Sequence, residues 1–198
     1  MEQQRLADNT KRIAKNTFLL YVRMLFSVAV SLVTSRLILQ VLGVENYGIY
    51  NVVGGVVILF TFLNSAMASS TQRFLTFELG CQNWERLRMV FSTSIWIHLL
   101  ISLSILFLAE TVGVWLFYHK LIIPESRMEA AMWVYQLSVC SCIVTIMSVP
   151  YNACIIARER MNVFAYISML DIVLRCVVVL CLYFFPYDKL VVYACLLL

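Results

Sequence analysis

Apolar runs too long for the core of a small soluble domain recur along this chain. The first covers 17–39, TFLLYVRMLFSVAVSLVTSRLIL, and others follow at 47–70, 90–118, 129–156 and 161–185. A helix rises about 1.5 Å per residue, so about 20 apolar residues cross a hydrocarbon layer of ~30 Å. All five blocks exceed that length. A sixth, LVVYACLLL at 190–198, is too short to span and reads as a helix cut off by the end of the sequence. The expectation is therefore an all-α fold: a polytopic transmembrane helix bundle with five complete spanning helices plus the start of a sixth over 17–198. A charged, amphipathic lead precedes it at 1–16. Composition agrees, because 62% of residues are hydrophobic and 13% charged, whereas soluble domains are about 45–50% apolar.

The lead, MEQQRLADNTKRIAKN, does not read as a cleaved signal. The apolar block after it outlasts a signal-peptide core and offers no small-residue cleavage site. The net charge of +4 is too modest to suggest nucleic acid. Seven cysteines, without a CxxC pair, lie mostly in or beside apolar blocks. They read as small buried hydrophobes rather than a disulfide framework.

Basic residues set the expected orientation, since cytoplasmic loops carry the excess of Lys and Arg. With the N-terminus inside, the inner segments 1–16, 73–88 and 157–160 hold Arg5, Lys11, Arg12, Lys15, Arg73, Arg86, Arg88, Arg158 and Arg160. The outer loops hold Lys120, Arg127 and Lys189, and 40–46 holds none. Tyr47, Trp84, Trp115, Tyr118, Tyr183 and Tyr187 mark block ends, as in an interfacial aromatic belt. Pro150 removes a backbone hydrogen bond late in the fourth block and is expected to kink it.

Polar residues inside the blocks form stripes. At about 100° per residue, Asn16, Arg23, Ser27, Ser31 and Thr34 fall within an arc of about 80°. Tyr47, Asn51, Gly54, Thr61, Ser65, Ser69 and Gln72 do the same in the second block, and Ser168, Asp171 and Arg175 fall within about 60° in the fifth. In the fourth, Glu129, Gln136, Cys140 and Tyr151 share a face. Lipid cannot satisfy such a stripe, so it faces other helices or a water-filled cavity. The cavity candidates are Arg23, Ser27, Ser31, Asn51, Thr61, Gln136, Asp171 and Arg175, with Arg36 a further one. Each has a plainer reading. Ser, Thr and Gly at helical spacing pack helices closely, and Arg23 and Arg36 can snorkel to the headgroups. Asp171 and Arg175, an i,i+4 pair in acid-then-base order, can neutralise each other. An ionised group at the bilayer centre costs about 2.5–3.5 kcal/mol, which is why the pair calls for a reason. His98, with Ser94 and Ser102 on its face, reads as a hydrogen-bonded packing residue before a proton carrier.

No phosphate-binding loop, HExxH, GxSxG or metal-spaced Cys/His cluster occurs, so neither a soluble-type enzyme site nor an ATP-driven pump is expected. Neither cofactor nor metal is expected, and a coupling ion, H⁺ or Na⁺, is left open.

Two segments carry a resemblance. RLILQVLGVENYGIYNVVGGVV, 36–57, joins two blocks by a short turn containing Gly43, Glu45, Asn46 and Gly48. SVPYNACIIARERMNVFAYISMLDIVLR, 148–175, is the second. With the charged lead and an arginine in the first block, they resemble the polysaccharide (O-antigen, capsule) flippase family. That family belongs to the multidrug/oligosaccharidyl-lipid/polysaccharide exporter superfamily. The resemblance implies a two-lobe transporter with about twelve helices or more around a central cavity, of which this chain is the N-terminal lobe. It also implies alternating access and a substrate of the undecaprenyl-pyrophosphate-linked oligosaccharide type, flipped across the bacterial inner membrane for lipopolysaccharide or capsule biosynthesis. The partners implied are membrane lipids and polysaccharide-assembly proteins. Arg23, Arg175 and Arg36 are then candidates for the anionic headgroup, because guanidinium binds phosphate oxygens in pairs. Asp171 would tune Arg175 or couple an ion. A cation-coupled multidrug antiporter, a membrane-embedded glycan polymerase or ligase, and a non-transporting scaffold remain alternatives.

Overall fold

The computed structural model describes residues 2–121, 123–183 and 189–197, with side chains for all of these except 2–13, 15, 56, 58–65 and 197. Among the described residues the chain is helical and has no strand. In order it forms α1 (Glu2–Gly80), α2 (Trp84–Leu108), a wide π turn (Ala109–Gly113), α3 (Val114–Lys120), a 3-10 turn (Glu125–Arg127), α4 (Met128–Ala157), α5 (Met161–Leu182) and α6 (Lys189–Leu197).

α1 is not one rod. Gly43 sits at φ 80° and ψ 164°, a region that a residue with a Cβ rarely adopts. Ile38 and Leu42 before the break share one buried cluster with Ile49 and Val53 after it. Ser27 and Tyr50 line one cavity, although a straight helix would hold those positions roughly 34 Å apart. The helix therefore folds back at Gly43 into two arms, 2–42 and 44–80. The expected outer loop at 40–46 shrinks to a single residue. Across it the Asn46 side-chain amide donates to the Leu42 carbonyl at 2.9 Å, satisfying a carbonyl at the end of the first arm.

The expected inner loop at 73–88 shrinks as well. The second arm runs to Gly80, and α2 starts at Trp84 rather than 90. Gln82, at φ 55°, makes the turn tight. Asn83 then caps α2, its Oδ1 accepting from the Arg86 N–H at 3.1 Å. Charged residues past the apolar run thus continue the helices instead of ending them. The fifth helix closes at Leu182, short of 185. Pro150 is buried inside α4, which stays helical from Met128 to Ala157. Pro186 and Tyr187 lie outside the described residues.

Contacts fix the relative directions. Thr71 meets Ser94, pairing the second arm of α1 with α2. Phe91 packs edge-on against Tyr151, and Tyr135 reaches Ala109, so α2 and α4 run antiparallel. Arg23 lies over Phe164, while 27–38 lies beside Ile172 and Arg175, so the first arm of α1 runs parallel to α5. The second arm and α4 are also parallel, with 50–57 alongside 137–145 and Leu75 in one buried cluster with Ala153. The core lies where the arms of α1, α2, α4, α5 and α6 meet, around Val53, Ile105, Tyr135, Val139, Val179, Leu182 and Tyr193.

Among the described residues, four segments are long and apolar enough to cross a membrane: Asn16–Gly55, Trp84–Lys120, Glu125–Ala157 and Met161–Leu182. The expected second span, 47–70, falls partly on side chains outside the description, and the expected sixth is the short α6. Large apolar side chains point outward along all four segments, among them Leu25, Leu32, Leu100, Phe107, Val144, Leu170 and Leu174. Water would not tolerate so continuous an apolar surface, and lipid requires it. These helices give the chain the character of a multi-pass membrane protein. Its cysteines depart from expectation. Cys142 is buried and Cys154 and Cys176 partly so, but Cys81, Cys140, Cys181 and Cys195 are exposed. In lipid an apolar thiol is as well accommodated on the outer face as in the core, so membrane-helix cysteines need not point inward.

Candidate functional site

Much of the polar stripe of the first arm of α1 lines a cavity. Ser27, Ser31, Thr34 and Ser35 line an open-sided cavity of about 240 Å³ that Ile172 and Arg175 of α5 and Tyr50 and Tyr193 also border. Three of the predicted residues, Ser27, Ser31 and Arg175, come together here. The helical spacing explains it: 27, 31 and 34 repeat at i, i+4 and i+7, and their short side chains let α5 approach.

Arg175 is held from its own helix. Its Nε donates to Asp171 Oδ2 at 3.0 Å. The two side chains are 52% and 57% exposed, so the pair sits on an open face of α5 rather than in the core. Nε points toward the carboxylate, and the terminal nitrogens make no hydrogen bond among the described residues. Those nitrogens are the edge of a guanidinium that grips an oxyanion. Asp171 thereby steadies the arginine and balances its charge while leaving its binding edge available.

Arg23 lies one turn before Ser27 and partly buries its stem. Its guanidinium carbon is 4.6 Å from the centre of the Phe164 ring, a cation–π contact that ties the first arm to the start of α5. Its Nε is buried and has no hydrogen-bond partner among the described residues. Arg36 is exposed and does not line the cavity.

Asn51 belongs to a second cavity, of about 230 Å³, between the second arm of α1, α4 and α6. Its side-chain amide is committed to the Tyr47 carbonyl at 2.9 Å, leaving the oxygen for other partners. Gly54, Ser138, Ser141 and Thr145 share that lining. Tyr50 borders both cavities, and its ring meets Tyr193 edge-on with centroids 5.0 Å apart. Tyr50 thus stands between two cavities, each lined by a mixture of hydroxyl-bearing and apolar side chains. Thr61 lies among the side chains outside the description.

Gln136 is elsewhere. Its amide donates to Glu110 Oε2 at 3.3 Å, on the exposed side of the wide turn. The expected polar face of α4 lies outside both cavities. Glu129, Cys140 and Tyr151 are exposed, and the polar groups that enter a cavity are Ser138, Ser141 and Thr145. Their i, i+3, i+7 spacing was visible in the sequence, but larger polar residues on the other side outweighed it. Tyr50 and Tyr193 were also missed, because nothing local to either marks a partner so distant along the chain.

Together these features define a class: an all-helical membrane bundle with an arginine-edged, hydroxyl-lined cavity between its helices. No family model matches the chain, and neither a curated protein nor a solved structure matches it at a significant level.

Proposed function

We propose that this chain is the N-terminal lobe of a transporter that flips lipid-linked oligosaccharide, of the undecaprenyl-pyrophosphate type, across the bacterial cytoplasmic membrane. In this reading its N-terminus is cytoplasmic, five helices span, and α6 begins a sixth span. The observation that carries the reading is the convergence of Arg175 with the Ser27, Ser31, Thr34 and Ser35 hydroxyls in one cavity.

The chemistry of such a substrate matches those groups. The pyrophosphate offers pairs of oxygens to the terminal nitrogens of Arg175. Sugar hydroxyls exchange hydrogen bonds with serine and threonine hydroxyls, and aromatic faces such as those of Tyr50 and Tyr193 suit the apolar faces of sugar rings. Asp171 keeps the empty site near neutrality, so the unloaded lobe does not carry a bare cation through its conformational cycle. A lipid tail would remain in the bilayer, along the exposed apolar faces of α1 and α5. Alternating access would then come from one lobe rocking against another around the bound headgroup.

The test is export in a strain that depends on this protein. A charge-assisted hydrogen bond is worth about 1.5–3 kcal/mol, so Arg175→Ala is expected to lower surface glycan roughly ten- to hundredfold. Arg175→Lys should retain an intermediate level, with membrane abundance unchanged for both. Wild-type export by Arg175→Ala at normal abundance would refute the headgroup role.

A further inference from the structure

Two tight turns lie side by side at the end of the bundle away from Gly43, and the proposed transport site uses neither. One joins α1 to α2 and the other joins α4 to α5. They share one construction. Gln82 at φ 55° and Glu159 at φ 52° take the left-handed conformation that stops each preceding helix. The Gln82 and Asn83 N–H groups donate to the Leu79 and Glu78 carbonyls, both at 3.2 Å. The Glu159 and Arg160 N–H groups donate in the same pattern to the Ile156 and Ile155 carbonyls, at 2.8 and 3.2 Å. Beneath them Leu75, Leu87 and Ala153 form one buried cluster, with Leu79 and Ala157 packed against it. That contact sets the two turns beside each other.

Between the turns is an open pocket of about 450 Å³, lined by Leu79, Trp84, Ala157, Arg158, Glu159 and Arg160. Arg158 and Arg160 lie between the end of α4 and the start of α5, with exposed side chains. Two guanidiniums against one carboxylate leave the lining one formal positive charge. The flanks share that sign, because Arg73, Arg86 and Arg88 stand there against Glu78 and Glu85. Leu79 and Ala157, which rest on the buried cluster, supply an apolar base. The exposed Trp84 indole supplies an amphipathic edge.

The pocket also opens beside the lipid-facing surface. Phe77, Met89 and Val163 are exposed apolar side chains within two turns of it along their helices. Charged and aromatic residues replace the apolar runs here, which puts the pocket at the membrane surface. A free phosphate would use the arginines alone. A phospholipid uses every feature. Its phosphate meets the guanidinium edges, its glycerol backbone rests against Leu79 and Ala157, and its acyl chains lie alongside Phe77 and Met89. The Trp84 ring then sits at headgroup depth. Basic pockets between membrane helices take anionic headgroups on these terms. A zwitterionic headgroup fits less well, because its own ammonium is repelled by the arginines.

We propose that this pocket binds an anionic phospholipid of the phosphatidylglycerol type, with its phosphate between Arg158 and Arg160. The lipid bridges the α4–α5 turn to Trp84 at the start of α2. Because the two turns join different pairs of helices, an occupied pocket ties those pairs together at this end of the bundle. The site is independent of which substrate the other cavity takes.

The full chain, delipidated in detergent, is titrated separately with phosphatidylglycerol and with phosphatidylcholine of the same acyl chains, and bound lipid is counted by native mass spectrometry. Losing a charge-assisted hydrogen bond lowers affinity about tenfold or more. The native chain is therefore expected to bind one phosphatidylglycerol about tenfold more tightly than phosphatidylcholine. A double variant, Arg158→Gln with Arg160→Gln, should lose that preference. Arg73→Gln removes a charge at the same end but outside the pocket, and should keep it. Inorganic phosphate in large excess should displace little of the lipid. Equal affinity for the two lipids in the native chain overturns the proposal, as does a preference that survives the double variant. A loss in Arg73→Gln as large as in the double variant would mean diffuse surface charge, and ready displacement by phosphate would mean a free-anion site. Either result also overturns the proposal. If the double variant fails to fold, Arg158→Gln and Arg160→Gln are tested singly, each expected to lose part of the preference, and a full preference in both overturns the site.

Discussion

The wide turn at 109–113 gives a sharp test of the packing. There the Val114 N–H bonds back to the Ala109 carbonyl, and that carbonyl also accepts from the Tyr135 hydroxyl at 2.8 Å. Tyr135 and Ala109 are fully buried. Gly113 is the other half of the arrangement. A methyl group placed on it would overlap the Tyr135 hydroxyl oxygen and approach Tyr135 Cζ at 3.1 Å. Gly113→Ala should therefore expel the hydroxyl from its site. Losing that hydrogen bond costs about 1 kcal/mol, and overfilling the site costs about 1–3 kcal/mol more, so roughly 2–4 kcal/mol is expected. Tyr135→Phe alone should cost about 0.5–1.5 kcal/mol, because Ala109 O keeps its backbone donor. In the Phe background the nearest atom to a new methyl is gone. Alanine's helix propensity, worth about 0.8–1 kcal/mol over glycine, then offsets the remaining crowding. Gly113→Ala should be nearly neutral there, giving a coupling of roughly 2 kcal/mol in the double-mutant cycle. Denaturation by SDS titration in mixed micelles, read by circular dichroism, measures all four proteins. An equal cost for Gly113→Ala in both backgrounds would refute the steric argument.

Gly43→Ala is expected to destabilise by about 1–2 kcal/mol in the same assay, because a Cβ at φ 80° meets the backbone strain of the left-handed region. A neutral result would mean that α1 does not fold back at that residue. Asn83→Ala should cost about 1 kcal/mol by removing the cap of α2, and Asn83→Ser should restore most of it. Equal stability of Asn83→Ala and the wild type would argue against that cap.

The bundle was legible because block length is a direct measure of the bilayer, and 129–156 and 161–185 landed within a few residues of α4 and α5. Helix ends were less legible. Apolarity ends at the membrane surface, whereas backbone hydrogen bonding continues until a residue such as Gly43 or Asn83 stops it. Helix faces were the hardest part. In a water-soluble helix apolar residues mark the inner side, but here Val144 faces out while Val139 and Ile146 face in. Only small and polar residues distinguish the sides of such a helix. Where they form one stripe, as at Ser27, Ser31 and Thr34, the reading led to the cavity. Where two sets competed, as on α4, the larger side chains of Glu129 and Gln136 drew attention from Ser138, Ser141 and Thr145. The wide turn, which depends on Gly113 fitting Tyr135 across two helices, leaves no local signature.

The central claim is that Arg175 and the α1 serines border one aqueous cavity inside the membrane. Single cysteines at 31 and 175, in a background without the native thiols and embedded in membranes, are treated with a membrane-impermeant maleimide. A third cysteine at Val177, about 200° around α5 from Arg175, serves as the lipid-facing control. Labelling at 31 and 175 with little at 177 is the predicted result. Failure of both 31 and 175 to react, or reaction at 177 as fast as at either, would show that Asp171 and Arg175 neutralise each other within the packed protein and that no cavity lies between α1 and α5.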